Sequence, residues 1–187
     1  MLRLALLALV AFTLPASAHP GHEHGDALTG FLHPLTGIDH VATIVAVGAW
    51  SAVAGGTRIW LWPAAFVTAM LAGAALAASG VALPFLEQSI AASLVVIGLL
   101  LALAINVPVY GGAALVASFA VFHGYAHGIE ADGATMVPYM AGFASATALL
   151  HLTGIGAAHG LMALFSAIPV RLIGAATAAA GIVLLIK

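Results

Sequence analysis

Long apolar stretches, separated by short breaks bearing polar residues, glycine or proline, run through most of the 187-residue chain. Six of them, over residues 34–54, 59–79, 87–105, 111–130, 136–157 and 169–186, are close to the ~20 residues a helix needs to cross a bilayer. Gly55-Gly56, Gly80 with Pro84, Pro108, Asp132-Gly133 and Pro169 punctuate the series. The last border is the softest, because residues 158–166 stay apolar and would also extend the fifth helix. The pattern predicts an all-α fold: a polytopic membrane bundle of six transmembrane helices over residues 29–187.

The first 18 residues read differently. Arg3, an apolar run over 4–14 and Pro15-Ala16-Ser17-Ala18 predict a secretory signal peptide over 1–18 with an Ala-x-Ala cleavage site. The alternative is an uncleaved anchor, for which the run is short. Residues 19–28 then form a histidine-rich arm, with His19, His22, Glu23, His24 and Asp26, too polar for the membrane and too rich in Gly and Pro for a helix. Cleavage places His19 outside, and six crossings return the C-terminus to the outside. Arg58 and Arg171 then fall on the inner side and Glu130 and Asp132 on the outer, as the positive-inside rule expects, with Lys187 against it.

Composition narrows the classes. Hydrophobic residues make up 64% of the chain and charged residues 5%, where a soluble domain carries roughly 25% charged, so no soluble domain fits beside the bundle. A net charge of -2 offers no basic patch for nucleic acid. The absence of cysteine removes disulfides, thiolate metal sites and thiol nucleophiles.

Against that background, ionisable groups at membrane depth mark a site, because they are costly to insert. They concentrate in two motifs, His33-Pro-Leu-Thr-Gly-Ile-Asp39-His40 and Phe122-His123-Gly-Tyr-Ala-His127-Gly-Ile-Glu130. Neutral imidazole with carboxylate is the ligand set of a borderline divalent metal. The predicted topology brings both motifs to the outer leaflet, one in the first turns of the first helix and one in the last turns of the fourth. His123, His127 and Glu130 share one helix face, a chelating spacing; the plainer alternative has these histidines bonding neighbouring helices around packing glycines at 124 and 128. In the first helix, Pro34 suits the first helical position and places His33 near the N-cap. Asp39 and His40 point about 100° apart, and His33 and His40 lie about 10 Å apart along the axis. One of the three therefore supports another ligand, with Asp39 the usual orienter of an imidazole, or Gly37 permits a local distortion. A capping His33 beside a structural Asp39-His40 pair is the other reading.

Further candidates are weaker. Glu87 opens the third helix at comparable depth, either as a ligand or as a carboxylate favoured by the helix dipole. His151 and His159 lie about 22 and 34 Å along the fifth helix from Met136 and mark a route inward, although an interfacial His159 needs no function. Met136 and Met140 share a face, a spacing more typical of packing than of thioether ligation. In the arm, His19, His22 and His24 suit capture of metal at the mouth, or simply a solvated linker. The three-plus-three arrangement is compatible with an inverted repeat.

The two motifs, the signal segment followed at once by histidines, and six short helices together resemble the HupE/UreJ family of nickel permeases, over essentially the whole mature chain. His33-x5-Asp39-His40 and His123-x3-His127-x2-Glu130 match that family's first-helix and fourth-helix signatures, and the former is similar to the H-x4-D-H element of the broader nickel/cobalt transporters with one extra residue. The resemblance implies uptake of Ni2+, as transported substrate, into the cytoplasm across a bacterial inner membrane, commonly for hydrogenase or urease maturation. Co2+ and Zn2+ suit the same donors. No G-x-x-x-x-G-K-[ST] occurs, so transport runs on a gradient or the membrane potential rather than on an ATPase of the chain's own. The expectation is a permease and not an enzyme. The rival is an intramembrane zinc hydrolase in which a carboxylate activates water, although H-E-x-x-H is missing; a third reading is a metal-binding accessory that moves nothing. If the arm only concentrates metal, deleting residues 19–24 weakens uptake at scarce nickel and leaves it nearly intact at saturating nickel. Uptake measured against external nickel decides, and abolished transport at saturation would make the arm an obligatory ligand.

Overall fold

The computed structural model describes residues 26–131 and 135–187. The expected signal segment 1–18, the arm histidines His19, His22 and His24, and the border at Asp132-Gly133 lie outside the described residues.

Helix α1 spans Ala27–Leu32 and starts inside the segment assigned to the arm: the Asp26 carboxylate accepts from the Thr29 amide at 2.8 Å and caps it. A 3-10 turn, His33–Leu35, follows, and then α2, Ile38–Ala54. The two helical pieces meet at 84°. This corrects the expectation of one helix from Pro34 with His33 at its N-cap. Pro34 falls inside the 3-10 turn, the Thr36 amide and hydroxyl both bond the His33 carbonyl, and the N-cap of α2 is Gly37 in extended geometry. The tight turn uses up the His33 carbonyl, so the chain leaves in a new direction at the glycine.

The remaining elements are α3 (Leu61–Ala78), entered through a 3-10 turn at Gly56–Arg58, α4 (Leu86–Ala102), α5 (Val109–Glu130), α6 (Met136–Leu164) and α7 (Ile168–Leu185). These follow the apolar segments to within a few residues, and α6 runs on through the soft border. Among the described residues, helices α3, α5, α6 and α7 are long and apolar enough to cross a membrane, and the bent α1–α2 pair brings the number to five if it counts as one broken span; α4, at 17 residues, is a shorter apolar helix, so four to five spans stand where six were expected. The protein is an all-helical membrane bundle.

Three helix pairs dominate the packing: α3 with α5, α4 with α7, and α2 with α6. Glycines let their backbones touch. A Cβ at Gly48 would strike the His151 backbone, and one at Gly124 would strike the Met70 backbone through the same set of atoms. In return Gly154 lies on Val45 and Ala49, and Gly73 on Val121 and Tyr125. A single sequence offset carries Val45, Gly48 and Ala49 onto Val121, Gly124 and Tyr125, and the same offset carries Gly98 onto Gly174, which face each other between α4 and α7. That offset of 76 residues relates α2 to α5 and α4 to α7, and an offset of 81 relates α3 to α6 through Gly73 and Gly154, so α2–α3–α4 and α5–α6–α7 are equivalent halves. They run in opposite senses, because His40 at the start of α2 meets His127 near the end of α5. The fold is an inverted repeat.

The end opposite the histidines is closed. Trp50 and Trp62 are fully buried and lie 4.1 Å apart, and their ring N–H groups donate to the carbonyls of Ile105 and Val109 at 3.1 and 2.7 Å. Arg58 bonds the Tyr110 hydroxyl, and Arg171 donates to the Ala102 carbonyl at 2.6 Å.

Gly124→Val forces a branched side chain into the Met70 backbone and is expected to cost roughly 1–3 kcal/mol or more, as overpacking does. Gly156→Ala, where a Cβ meets open space, is expected to be neutral. Thermal aggregation of the two detergent-solubilised variants checks this, and equal stability would contradict the packing described.

Candidate metal centre

The bend between α1 and α2 folds His33 back over the end of α5. Its ring lies 4.9 Å from that of His127, while His40, in the first turn of α2, lies 4.4 Å from His127 and 5.2 Å from His123. A regular helix would have kept His33 and His40 apart; the distortion at Gly37 is what brings both to the same neighbour. Phe143 of α6 packs 4.1 Å from His127, and Tyr139 lies 5.8 Å from His33.

Hydrogen bonds set the state of each ring. An ionised carboxylate only accepts, so Glu130 Oε2 receives N–H bonds from His33 Nε2 at 3.0 Å and His127 Nδ1 at 2.9 Å, and Asp39 Oδ1 receives one from His40 Nδ1 at 3.0 Å. His123 is held by Ser93 of α4. The Ser93 hydroxyl gives its one hydrogen to the Ile90 carbonyl at 2.6 Å, so toward His123 Nε2, at 2.9 Å, it accepts. The tautomers follow from this network. Each of these rings keeps a lone pair on its other nitrogen. At His40 Nε2, His123 Nδ1 and His127 Nε2 that nitrogen is buried and has no hydrogen-bond partner.

Unpartnered imidazole lone pairs in an apolar interior are costly unless something accepts them, and a divalent metal does. Backing by carboxylate or hydroxyl on the opposite nitrogen is how ligating imidazoles are oriented. Two layers result. At the rim, one ligand atom each from His33, His127 and Glu130 lie within 4.8 Å of one another, with the Glu130 side chain half exposed. Beneath it, His40 and His123 flank His127. His127 belongs to both layers, presenting Nδ1 to the rim and Nε2 to the interior.

Of the sequence candidates, His33, His40, His123, His127 and Glu130 converge. Asp39 stands behind His40, in the supporting position that was one of its readings, and lines an outer cavity of about 230 Å³ with Glu87, Gln88 and Lys187. Glu87 is exposed there, sharing the cavity with Asp39 and outside the His33–His127–Glu130 group. His151 is buried deeper, His159 is exposed, and Met136 and Met140 line an apolar cleft between α3 and α6 and serve packing. Sequence reasoning missed Ser93, Tyr139 and Phe143. A lone serine in an apolar helix signals nothing until its partner is known, whereas Tyr139 and Phe143 stand one turn apart at the start of α6.

A family model described as HupE / UreJ protein matches residues 7–184 of the chain. Protein HupE of Rhizobium leguminosarum bv. viciae is 40% identical over 181 residues, which cover 95% of each chain. No solved structure matches.

The network predicts that metal-free His123 carries its proton on Nε2, whereas His40 and His127 carry theirs on Nδ1. Nitrogen-15 chemical shifts of labelled histidines report this directly. Ser93→Ala should release only His123 into mixed tautomers, and an unchanged His123 signal would break the assignment.

Proposed function

Because the chain belongs to the HupE/UreJ family of metal-handling membrane proteins, we propose that it carries a divalent transition metal, Ni2+ foremost with Co2+ or Zn2+ chemically allowed, across a bacterial inner membrane into the cytoplasm. The observation that carries this reading is the set of buried, unpartnered nitrogens on His40, His123 and His127 beneath a partly exposed His33–Glu130 rim. Capture begins at the rim, where Glu130 supplies the negative charge and His33 and His127 become nitrogen donors once the protons they share with Glu130 move, through solvent at the half-open rim, to their other ring nitrogens. The ion then passes to His127 Nε2 and on to His40 and His123. Asp39 and Ser93 hold those two rings by the opposite nitrogen, so that each lone pair faces inward as a ligand.

His127 is the pivot of the transfer. It is a neutral ring with one nitrogen toward each layer, so exchange of its proton between Nδ1 and Nε2 moves the lone pair from one layer to the other. An inside-negative potential drives a divalent cation inward at about 2.3 kcal/mol per charge per 100 mV. The inverted repeat supports a mechanism in which the two halves rock about the site.

Purified protein in liposomes holding a nickel-sensitive dye provides the test. Wild type should fill the vesicles faster than empty controls, and faster still under an inside-negative potential. His127→Ala should fall to the control rate even at saturating nickel, while Glu130→Gln should raise the KM by about tenfold or more, the scale seen when a metal site loses a supporting carboxylate. Wild-type vesicles that fill no faster than empty ones would overturn the proposal.

A further inference from the structure

His151 belongs to neither layer of the candidate centre. It lies in the middle of α6 and is 1% exposed; the Thr147 backbone one turn back is the single polar group against the ring among the described residues, so at least one of the two ring nitrogens is left without a hydrogen-bond partner. The backbone of α2 passes directly against it at Gly48. Phe66 separates it from the centre above, with its ring 5.2 Å from His151 and 5.7 Å from His123. An imidazole in the middle of an apolar span is expensive to keep, and packing alone would be served as well by leucine or phenylalanine.

The repeat identifies its counterpart. Gly48 rests on His151 as Gly124 rests on Met70, so His151 and Met70 are equivalent positions of the two halves. Both sit near the middle of their helices, and both are fully buried. Thr147, one turn from His151 on the same face of α6, donates its hydroxyl to the Met70 sulfur at 3.7 Å. The thioether is thereby tied to the His151 face. Imidazole nitrogen with thioether sulfur suits a borderline or soft first-row cation and is poor for Mg2+ or Ca2+.

We propose that His151 and Met70 form a second, midplane station for the transported transition metal, reached after the His40–His123–His127 layer and before the closed Trp50–Trp62 end. It rests on the transport reading above. A central site between equivalent, oppositely directed halves is reachable from either end as the halves move, which explains an imidazole at that depth. The station also filters the cargo, because an ion must exchange oxygen donors for nitrogen and sulfur there.

The test uses full-length protein in nanodiscs and liposomes, with Ni2+ and Co2+ alone as probes. Wild type should bind two ions per chain, and X-ray absorption of the Co2+-loaded protein should show a sulfur neighbour. His151→Leu should bind one ion fewer and lower the maximal nickel uptake rate by roughly tenfold or more, with the KM for external nickel nearly unchanged because the rim is intact. Met70→Leu, nearly isosteric, guards against misfolding: it should abolish the sulfur signal and slow uptake while the protein elutes as wild type does. A wild type that transports nickel but binds a single ion, with uptake unaltered in both variants, would overturn the station and leave the transport reading standing. A wild type that neither binds nor moves nickel would overturn the transport reading, and the station with it.

Discussion

Contact between helix backbones through glycine is the constraint on which the rest of this molecule depends. Lipid tails are as apolar as leucine, so a bilayer does not squeeze apolar helices together as water would; association has to come from close packing. Here Gly48 and Gly154 bring α2 onto α6, Gly73, Gly124 and Gly128 bring α3 onto α5, and Gly98, Gly174 and Gly181 bring α4 onto α7. Two of these pairs carry the polar chemistry. Seating α5 against α3 fixes the height and rotation of His123, His127 and Glu130, and seating α2 against α6 does the same for His40 and His151.

That rigidity permits a polar interior to hold its form. His40, His123 and His127 are each gripped through one nitrogen, by Asp39, Ser93 and Glu130 respectively, and leave the other buried and unpartnered. The grips come from different places: Asp39 is the sequence neighbour of His40, Glu130 lies one turn beyond His127, and Ser93 belongs to another helix. Loss of Glu130 therefore disturbs both His33 and His127 and loss of Asp39 only His40, whereas a shift of α4 against α5 would release His123 without any substitution. The two ends of the bundle also differ, with His33 and Glu130 partly open and Trp50 and Trp62 sealed. Equivalent halves with unequal ends are the arrangement on which alternating exposure of a central site is built.

Much of this was legible in the chain. Apolar run lengths mark the spans, because membrane thickness imposes a length and a composition that composition alone can reveal. The histidine and carboxylate motifs stand out for the same reason: in a sequence with so few charges, ionisable groups at membrane depth require an explanation. The i, i+4 and i+3 spacing of His123, His127 and Glu130 places them on one face without reference to any other helix, and that face is intact in the structure. The divergence of Asp39 and His40 on one helix was readable too, but it left open whether Asp39 supports His40, ligates itself or is brought round by a distortion at Gly37; the structure shows the Asp39–His40 hydrogen bond together with a bend at Gly37.

Other features depended on the three-dimensional arrangement. The 84° turn that brings His33 to His127 arises from competition for one carbonyl, that of His33, between continuing a helix and closing a 3-10 turn with Thr36, and local propensity does not settle such a competition. Ser93 became part of the centre only when α4 was placed beside α5. The repeat was at most suggested by the order of segments, because its evidence is backbone contact at matching positions of the two halves, where glycine is required on one side and almost any residue serves on the other. His151 and Met70 share no motif and are different residue types, so only the symmetry of the packed halves makes them a pair. Sequence by itself determined the membrane class, the apolar segments and the kinds of polar side chain they carry, which follow from the solvent and from neighbours along one helix; tertiary structure decided which of those side chains meet and through which nitrogen, because those are properties of contacts between helices.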